Sequence, residues 1–155
     1  MNRTRQMLSR TVPGLGGFLA IWLVISFGDA TGLTLVTAPF GATCVLAFAL
    51  PASPLAQPRN IVGGHMLSTL IGLVLLHTAG AHPWSIALAV GCAIIAMQLT
   101  GTLHPPAGAD PLVVMLSGSG WSFLWSPILI GSILIVLLAW AVHRLSGVTY
   151  PKQWR

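Results

Sequence analysis

His104 and Asp110 are ionisable side chains set within an otherwise apolar stretch, and they bracket Pro105-Pro106-Ala107-Gly108-Ala109. A histidine there could donate to an anion or carry a proton with it, because imidazole titrates near physiological pH. It could equally tie its segment to a neighbouring helix through a hydrogen bond. Asp110 has three readings: a proton carrier in proton–anion symport, a structural partner of His104 or Arg59, or a ligand in a cation pathway. An acid in such a setting is costly and is a functional candidate by default.

The segment has an echo. Ala38-Pro39-Phe40-Gly41-Ala42 lies 67 positions before Pro105-Pro106-Ala107-Gly108-Ala109, and the same offset carries Ile61 onto Ile128 and Gly64 onto Gly131. Proline suits the first turn of a helix, where its missing N–H would have had no partner. The residue before proline is pushed to extended geometry, as are β-branched residues. Leu33-Thr34-Leu35-Val36-Thr37 and Leu99-Thr100-Gly101-Thr102-Leu103 therefore read as extended lead-ins. Each feeds a half-helix of roughly twelve residues, about 18 Å long and so starting near mid-membrane.

Such helix starts leave backbone N–H groups unpaired and carry a partial positive charge. Glycine lets a small ion come close to them. The candidate anion site is therefore Pro39, Phe40, Gly41, Ala42 and Thr43 with His104, Pro105, Pro106, Ala107, Gly108 and Ala109. Thr37 and Thr102 offer further hydroxyl donors. The competing reading is that Pro and Gly only kink buried helices and pack them closely.

The elements that must hold these residues are membrane helices. Nine of 155 residues are charged and none is Glu, against about a quarter charged in soluble domains. Four apolar stretches approach a membrane span: 13–28, 61–78, 84–98 (extending to 102) and 124–143. The broken stretches 33–50 and 99–117 add two more. The basic start followed by 14–28 has the outline of a signal peptide. More apolar sequence follows it, without a small-x-small cleavage site, so it reads as a first span.

The expected fold is all-α and integral to the membrane, a single transmembrane domain over 1–155. It holds two three-segment inverted repeats, about 13–78 and 84–143, with four full helices and two half-helices. Counting the broken stretches as crossings gives six passes; counting them as re-entrant gives four. The Lys/Arg distribution favours six, with both termini and Arg59 inside.

Net charge is +5, carried by Arg3, Arg5, Arg10, Arg59, Arg144, Lys152 and Arg155. This tail-and-loop pattern fits the cytoplasmic side of a membrane and not a nucleic-acid face. Arg59 reads either as a funnel for anions or as a topology determinant. Gln98 reads as a buried polar residue that lines the cavity. His65, beside Gly63 and Gly64, reads as a helix–helix hydrogen bond. Gly72 and Gly91 join these glycines as close-packing positions. Asp29, His77, His82 and His143 read as interfacial, as do Trp84, Trp121, Trp125 and Trp154. Cys44 and Cys92 suggest neither a disulfide framework nor a zinc site.

His104-Pro105-Pro106-Ala107-Gly108-Ala109, Pro54-Leu55-Ala56-Gln57-Pro58-Arg59-Asn60 and Gly63-Gly64-His65 together resemble the HPP family of integral membrane proteins, across roughly 13–143. The family is usually described with four transmembrane segments. Its chloroplast and cyanobacterial members are associated with nitrite transport, and others carry C-terminal CBS domains. The resemblance implies a minimal prokaryotic member in the bacterial cytoplasmic (inner) membrane, multi-pass, with both termini cytoplasmic.

The expected function is a transporter or channel for a small inorganic anion, nitrite first, working as a homo-oligomer in the bilayer without a cofactor. The alternatives are a non-catalytic membrane scaffold or subunit and a cation or proton pathway using Asp110 and His104. An embedded enzyme is disfavoured: the five His and two Asp make no metal spacing such as His-x-x-x-His, and no Ser or Cys has an evident base.

Overall fold

The computed structural model describes residues 3–152, with side chains from Thr11 onward. The side chains of Arg3, Arg5 and Arg10, and Trp154 and Arg155, lie outside that description. The described chain is all-helical. Helix α1 (Arg3–Thr31) is followed by α2 (Pro39–Cys44), which continues as a π turn over Val45–Ala49. After a 3-10 turn at Pro54–Ala56 come α3 (Pro58–Ala79) and α4 (Pro83–Thr100). A second 3-10 turn, Pro105–Ala109, leads into α5 (Asp110–Ser117), and α6 (Ile130–Leu145) closes the bundle. Four stretches are long and apolar enough to cross a membrane: Thr11–Thr31, Pro58–Ala79, Pro83–Thr100 and Trp121–Leu145.

Local chemistry sets these limits. Proline opens α2, α3 and α4, where a missing N–H is harmless. Gly101 ends α4 in the left-handed conformation, φ 66°. This corrects one boundary: Leu99 and Thr100 are the last turn of α4, and the second lead-in starts only at Thr102. The glycine stops the helix, so the helix runs closer to the prolines than their presence suggests. The last span is broken at Ser126 (φ −133°, ψ 114°), the residue before Pro127, where helical geometry is disfavoured.

Contacts along the chain define its path. Gly28 packs on Leu35, Gly17 on Cys44 and Gly16 on Phe48, so α1 runs antiparallel to the first broken stretch. Gly131 packs on Leu35 and Phe40, and His143 Nε2 donates to Ala47 O at 2.8 Å, so α6 runs parallel to that stretch. Gly64 packs on Thr102 and Gly72 on Pro111, and His77 stacks on Trp121 at 5.1 Å. The second broken stretch therefore runs parallel to α3. Arg59, at the start of α3, donates to Thr100 O, at the end of α4.

The chain thus makes six passes along the bundle, and the broken stretches travel in opposite directions. Arg59, Arg144 and Lys152 gather at one end, the basic end; the α3–α4 turn and Trp121 lie at the other.

Packing is uneven. From Thr11 onward helix α1 buries only Gly16, Ala20, Val24 and Gly28, and α4 buries only Ser85, Ala89, Ala93 and Met97. Each is a one-residue-wide line repeating every fourth position, mostly of small side chains, as suits helices that meet closely in lipid. The remaining faces expose Leu15, Phe18, Trp22, Leu88, Ile95 and Leu99. Gly91 departs from its expected packing role, because a Cβ there would meet nothing within 4 Å.

At the basic end the chain after α6 folds back over the 51–57 loop. Tyr150 Oη donates to Ala56 O at 2.9 Å, and Lys152 N donates to Gln57 Oε1 at 2.9 Å. Burial raises the Tyr150 phenol above its ordinary value. The folded state thus favours the neutral form, so the contribution is complete below about pH 10 and is lost only as stronger alkali ionises it. Tyr150→Phe is expected to cost about 1 kcal/mol. Thermal unfolding in detergent at neutral pH checks this, and an unchanged midpoint would show that the strap adds nothing.

Candidate functional site

The two broken stretches meet on a run of buried polar side chains. Asp110, the first residue of α5, places Oδ2 2.7 Å from His65 Nδ1. His65 Nε2 lies 2.8 Å from Thr43 Oγ, on α2. Thr43 Oγ lies 3.0 Å from His104 Nε2. His104 Nδ1 donates to Leu55 O, in the 51–57 loop, at 2.8 Å. All four side chains, Asp110, His65, Thr43 and His104, are fully buried. The run extends from α5 toward the basic end, where the two residues after Leu55 are bonded by the Tyr150 strap.

Helix geometry explains why these groups converge. His65, Ser68, Thr69 and Gly72 share the buried face of α3, as residues three and four apart do. Gly64 makes room for the lead-in: a Cβ there would sit 2.7 Å from His104 Cβ and 2.9 Å from Thr102 O. Ser68 Oγ donates to Ala107 O at 2.6 Å and Asn60 Nδ2 to Leu103 O at 2.9 Å, anchoring the lead-in and the turn after it. Phe40 stands edge-on to the His65 ring at 5.1 Å, and the two imidazoles meet at 5.0 Å. The Thr69 hydroxyl and Asp110 Oδ1 lie beside each other, and neither bonds to any other group.

The residues singled out from sequence separate into groups. Thr43 and His104 are in the run, as is Asp110. Pro39, Phe40, Pro106 and Ala107 are buried around it, and Gly108 and Ala109 are half-buried. Gly41, Ala42 and Pro105 face outward. Ala42 and Pro105 line an apolar groove of about 430 Å³ together with Val45, Leu46 and Pro106. Thr37 is buried with its hydroxyl unpartnered, and Thr102 bonds to Thr100 at 2.8 Å.

Several expectations need correction. Gln98 is exposed on the outer face of α4, away from the run. Helix α4 is apolar all round, so its sequence does not mark which side turns inward. Asp110 pairs with His65 and not with His104 or Arg59, because the 3-10 turn carries α5 past the lead-in and onto α3. Arg59 is exposed at the basic end.

The helix starts are also more closed than expected. Phe40 N donates to Thr37 O, Gly41 N to Ala38 O and Ala107 N to His104 O. Ala38 is already helical (φ −52°, ψ −40°), so tight turns use donors that extended lead-ins would have left free. His65 is the centre of the run, and the signal for it was Asp110 itself: a buried acid without a basic neighbour in sequence needs a partner from another helix.

A profile described as the HPP transmembrane region matches residues 2–151. A transmembrane protein of Dictyostelium discoideum is 39% identical over 124 residues, 74% of this chain and 44% of the relative. A second from the same organism is 37% identical over 124 residues, 74% of this chain and 40% of the relative. The chain thus spans less than half the length of these curated relatives. No solved structure matches it. With the profile covering both broken stretches and the residues between them, the chain belongs to the HPP transmembrane family.

Proposed function

We propose that this protein is a membrane transporter for a small inorganic anion, nitrite first. The carrying observation is the buried Thr43–His104 contact at 3.0 Å, where the two broken passes meet inside a bundle of apolar helices. Polar groups at such depth are costly and mark solute routes. The anion enters by the groove between Ala42 and Pro105, chain neighbours of Thr43 and His104, and displaces the contact between those two buried side chains. Nitrite, with one charge and two acceptor oxygens, then takes the Thr43 hydroxyl hydrogen and that of a His104 Nε2 protonated on its arrival.

The inverted-repeat reading has support in reciprocal contacts. Gly64 packs on Thr102, while Gly131 packs on Leu35; each pair is the other shifted by 67 positions. Arg59 donates to Thr100 O, and Ser126 Oγ to Thr34 O at 2.7 Å, again near-counterparts. Two broken passes of opposite direction, one from each repeat, are the arrangement that places a solute site at mid-membrane. On this reading the six passes are six crossings. The basic end is cytoplasmic, both termini lie there, and the exposed face of α2 beside the groove is covered by a second copy in a homo-oligomer.

The test is a flux screen of purified protein in proteoliposomes against nitrite, nitrate, formate, chloride and potassium. Nitrite flux is expected to exceed potassium flux. His104→Ala should lower it roughly tenfold or more, the loss of a hydrogen bond to a charged group, with gel-filtration behaviour unchanged. Absence of flux for every ion would sink the reading.

A further inference from the structure

We propose that Asp110, His65, Thr43 and His104 form a proton wire that holds one transferable proton, which the Thr43 hydroxyl passes between the two imidazoles. The wire follows from the bond partners alone and holds for any cargo.

A carbonyl oxygen accepts and never donates, so Leu55 O fixes a hydrogen on His104 Nδ1. A neutral His104 then presents a bare Nε2, and Thr43 must donate to it. Thr43 has one hydrogen, so its oxygen accepts from His65 Nε2–H. That leaves His65 Nδ1 facing Asp110 Oδ2 at 2.7 Å. Two oxygen- and nitrogen-bearing groups at that distance need one proton between them, and it resides on either Asp110 or His65.

A third placement carries the same number of protons. His65 Nε2–H gives its proton to Thr43 Oγ as the Thr43 hydroxyl proton moves to His104 Nε2. His104 becomes the imidazolium, His65 is neutral with its hydrogen on Nδ1, and Asp110 is the carboxylate that accepts from it. One N–H and one O–H bond break while one O–H and one N–H bond form; net charge is unchanged and one positive charge has moved from His65 to His104. Rotation of the hydroxyl resets the wire, and Pro39 O, 3.2 Å from Thr43 Oγ, accepts the hydrogen during the turn.

Both ends have a means of exchange. At the inner end Asp110 Oδ1 faces only the Thr69 hydroxyl, so it can accept a proton without breaking the His65 contact. At the other end Leu55 belongs to the half-buried loop at the basic end, so movement of that loop is the route by which His104 Nδ1 exchanges its hydrogen.

Among the described residues no other charge competes along the wire. Helix α3 presents His65, Ser68 and Thr69 to it, α2 presents Thr43 with Cys44 as neighbour, and α5 presents Asp110. Among the described residues Arg59 is engaged at Thr100 O, Arg144 lies 5.7 Å from the Trp140 ring, Lys152 follows the strap, and Asp29 is exposed near the far end.

The experiment follows luminal pH with pyranine in proteoliposomes holding the full chain, under a potassium–valinomycin potential, with and without nitrite. Wild type and Thr43→Ser are expected to move protons; Thr43→Val, which keeps shape but has no hydroxyl, is expected to slow this roughly a hundredfold. Wild-type rates in Thr43→Val overturn the wire, as does nitrite flux in wild type without proton movement, which would leave the anion reading standing. Proton movement without nitrite flux supports the wire and removes the anion reading. A measurement independent of the variants is the ¹⁵N spectrum of histidine-labelled wild type in bilayers: a protonated His104 Nδ1 is expected, and a bare one overturns the bond order.

Discussion

Gly131→Val is expected to abolish recovery of folded protein from the membrane. A Cβ at Gly131 would lie 2.5 Å from the Leu35 carbonyl oxygen and against the Phe40 ring. Neither can give way. Leu35 is backbone, and its neighbour Thr34 is held by Ser126; Phe40 is fully buried and wedged on His65. Even Gly131→Ala should cost about 3 kcal/mol, the upper range for forcing atoms into a full interior. Gly91→Ala is the contrast, since a Cβ there has open space. It should be neutral or add up to about 1 kcal/mol through helix propensity. Fluorescence-detected gel filtration with thermal challenge reads both. A monodisperse Gly131→Val with the wild-type midpoint would mean that α6 does not press on the first lead-in.

The second large effect concerns Asp110. Asp110→Ala removes the partner of His65 Nδ1 and leaves a buried imidazole nitrogen facing a void. Breaking a buried pair from one side costs about 3–5 kcal/mol, because the remaining group stays desolvated. Asp110→Asn keeps an amide that donates or accepts at the same place, so it should fold while no longer exchanging a proton. Combining Asp110→Ala with His65→Ala should cost less than the two single changes added, with a coupling of roughly 2 kcal/mol. Additive losses in chemical unfolding would mean that the 2.7 Å contact contributes nothing specific.

Much of the fold could be read from the chain because apolar length and proline are local signals. The four long stretches needed only hydropathy, and Pro39 and Pro106 marked the places where passes break. Which face of a helix turns inward was not legible. In a uniformly apolar helix such as α4, burial follows small side chains at every fourth position, and Gln98 gives no phase.

The site divides in the same way. His104 and Asp110 stood out as polar atoms in an apolar run. The pairing of Asp110 with His65 depends on how far the Pro105–Ala109 turn advances the chain, a geometric property with no residue-type signature. The closed helix starts were hidden for a related reason: whether a residue before proline stays extended or turns, as Ala38 does, is decided by packing on α1 and α6.

The bonding of the first lead-in has a consequence for biogenesis. The carbonyl of Thr34 waits for a hydroxyl 92 positions downstream, and the groove that receives Leu35 is made by the final helix. On the six-crossing reading, a nascent chain halted after its first three passes would leave those peptide groups without their partners. Insertion would then be completed only when the last helix joins, and products truncated before Ser126 should be cleared by membrane quality control.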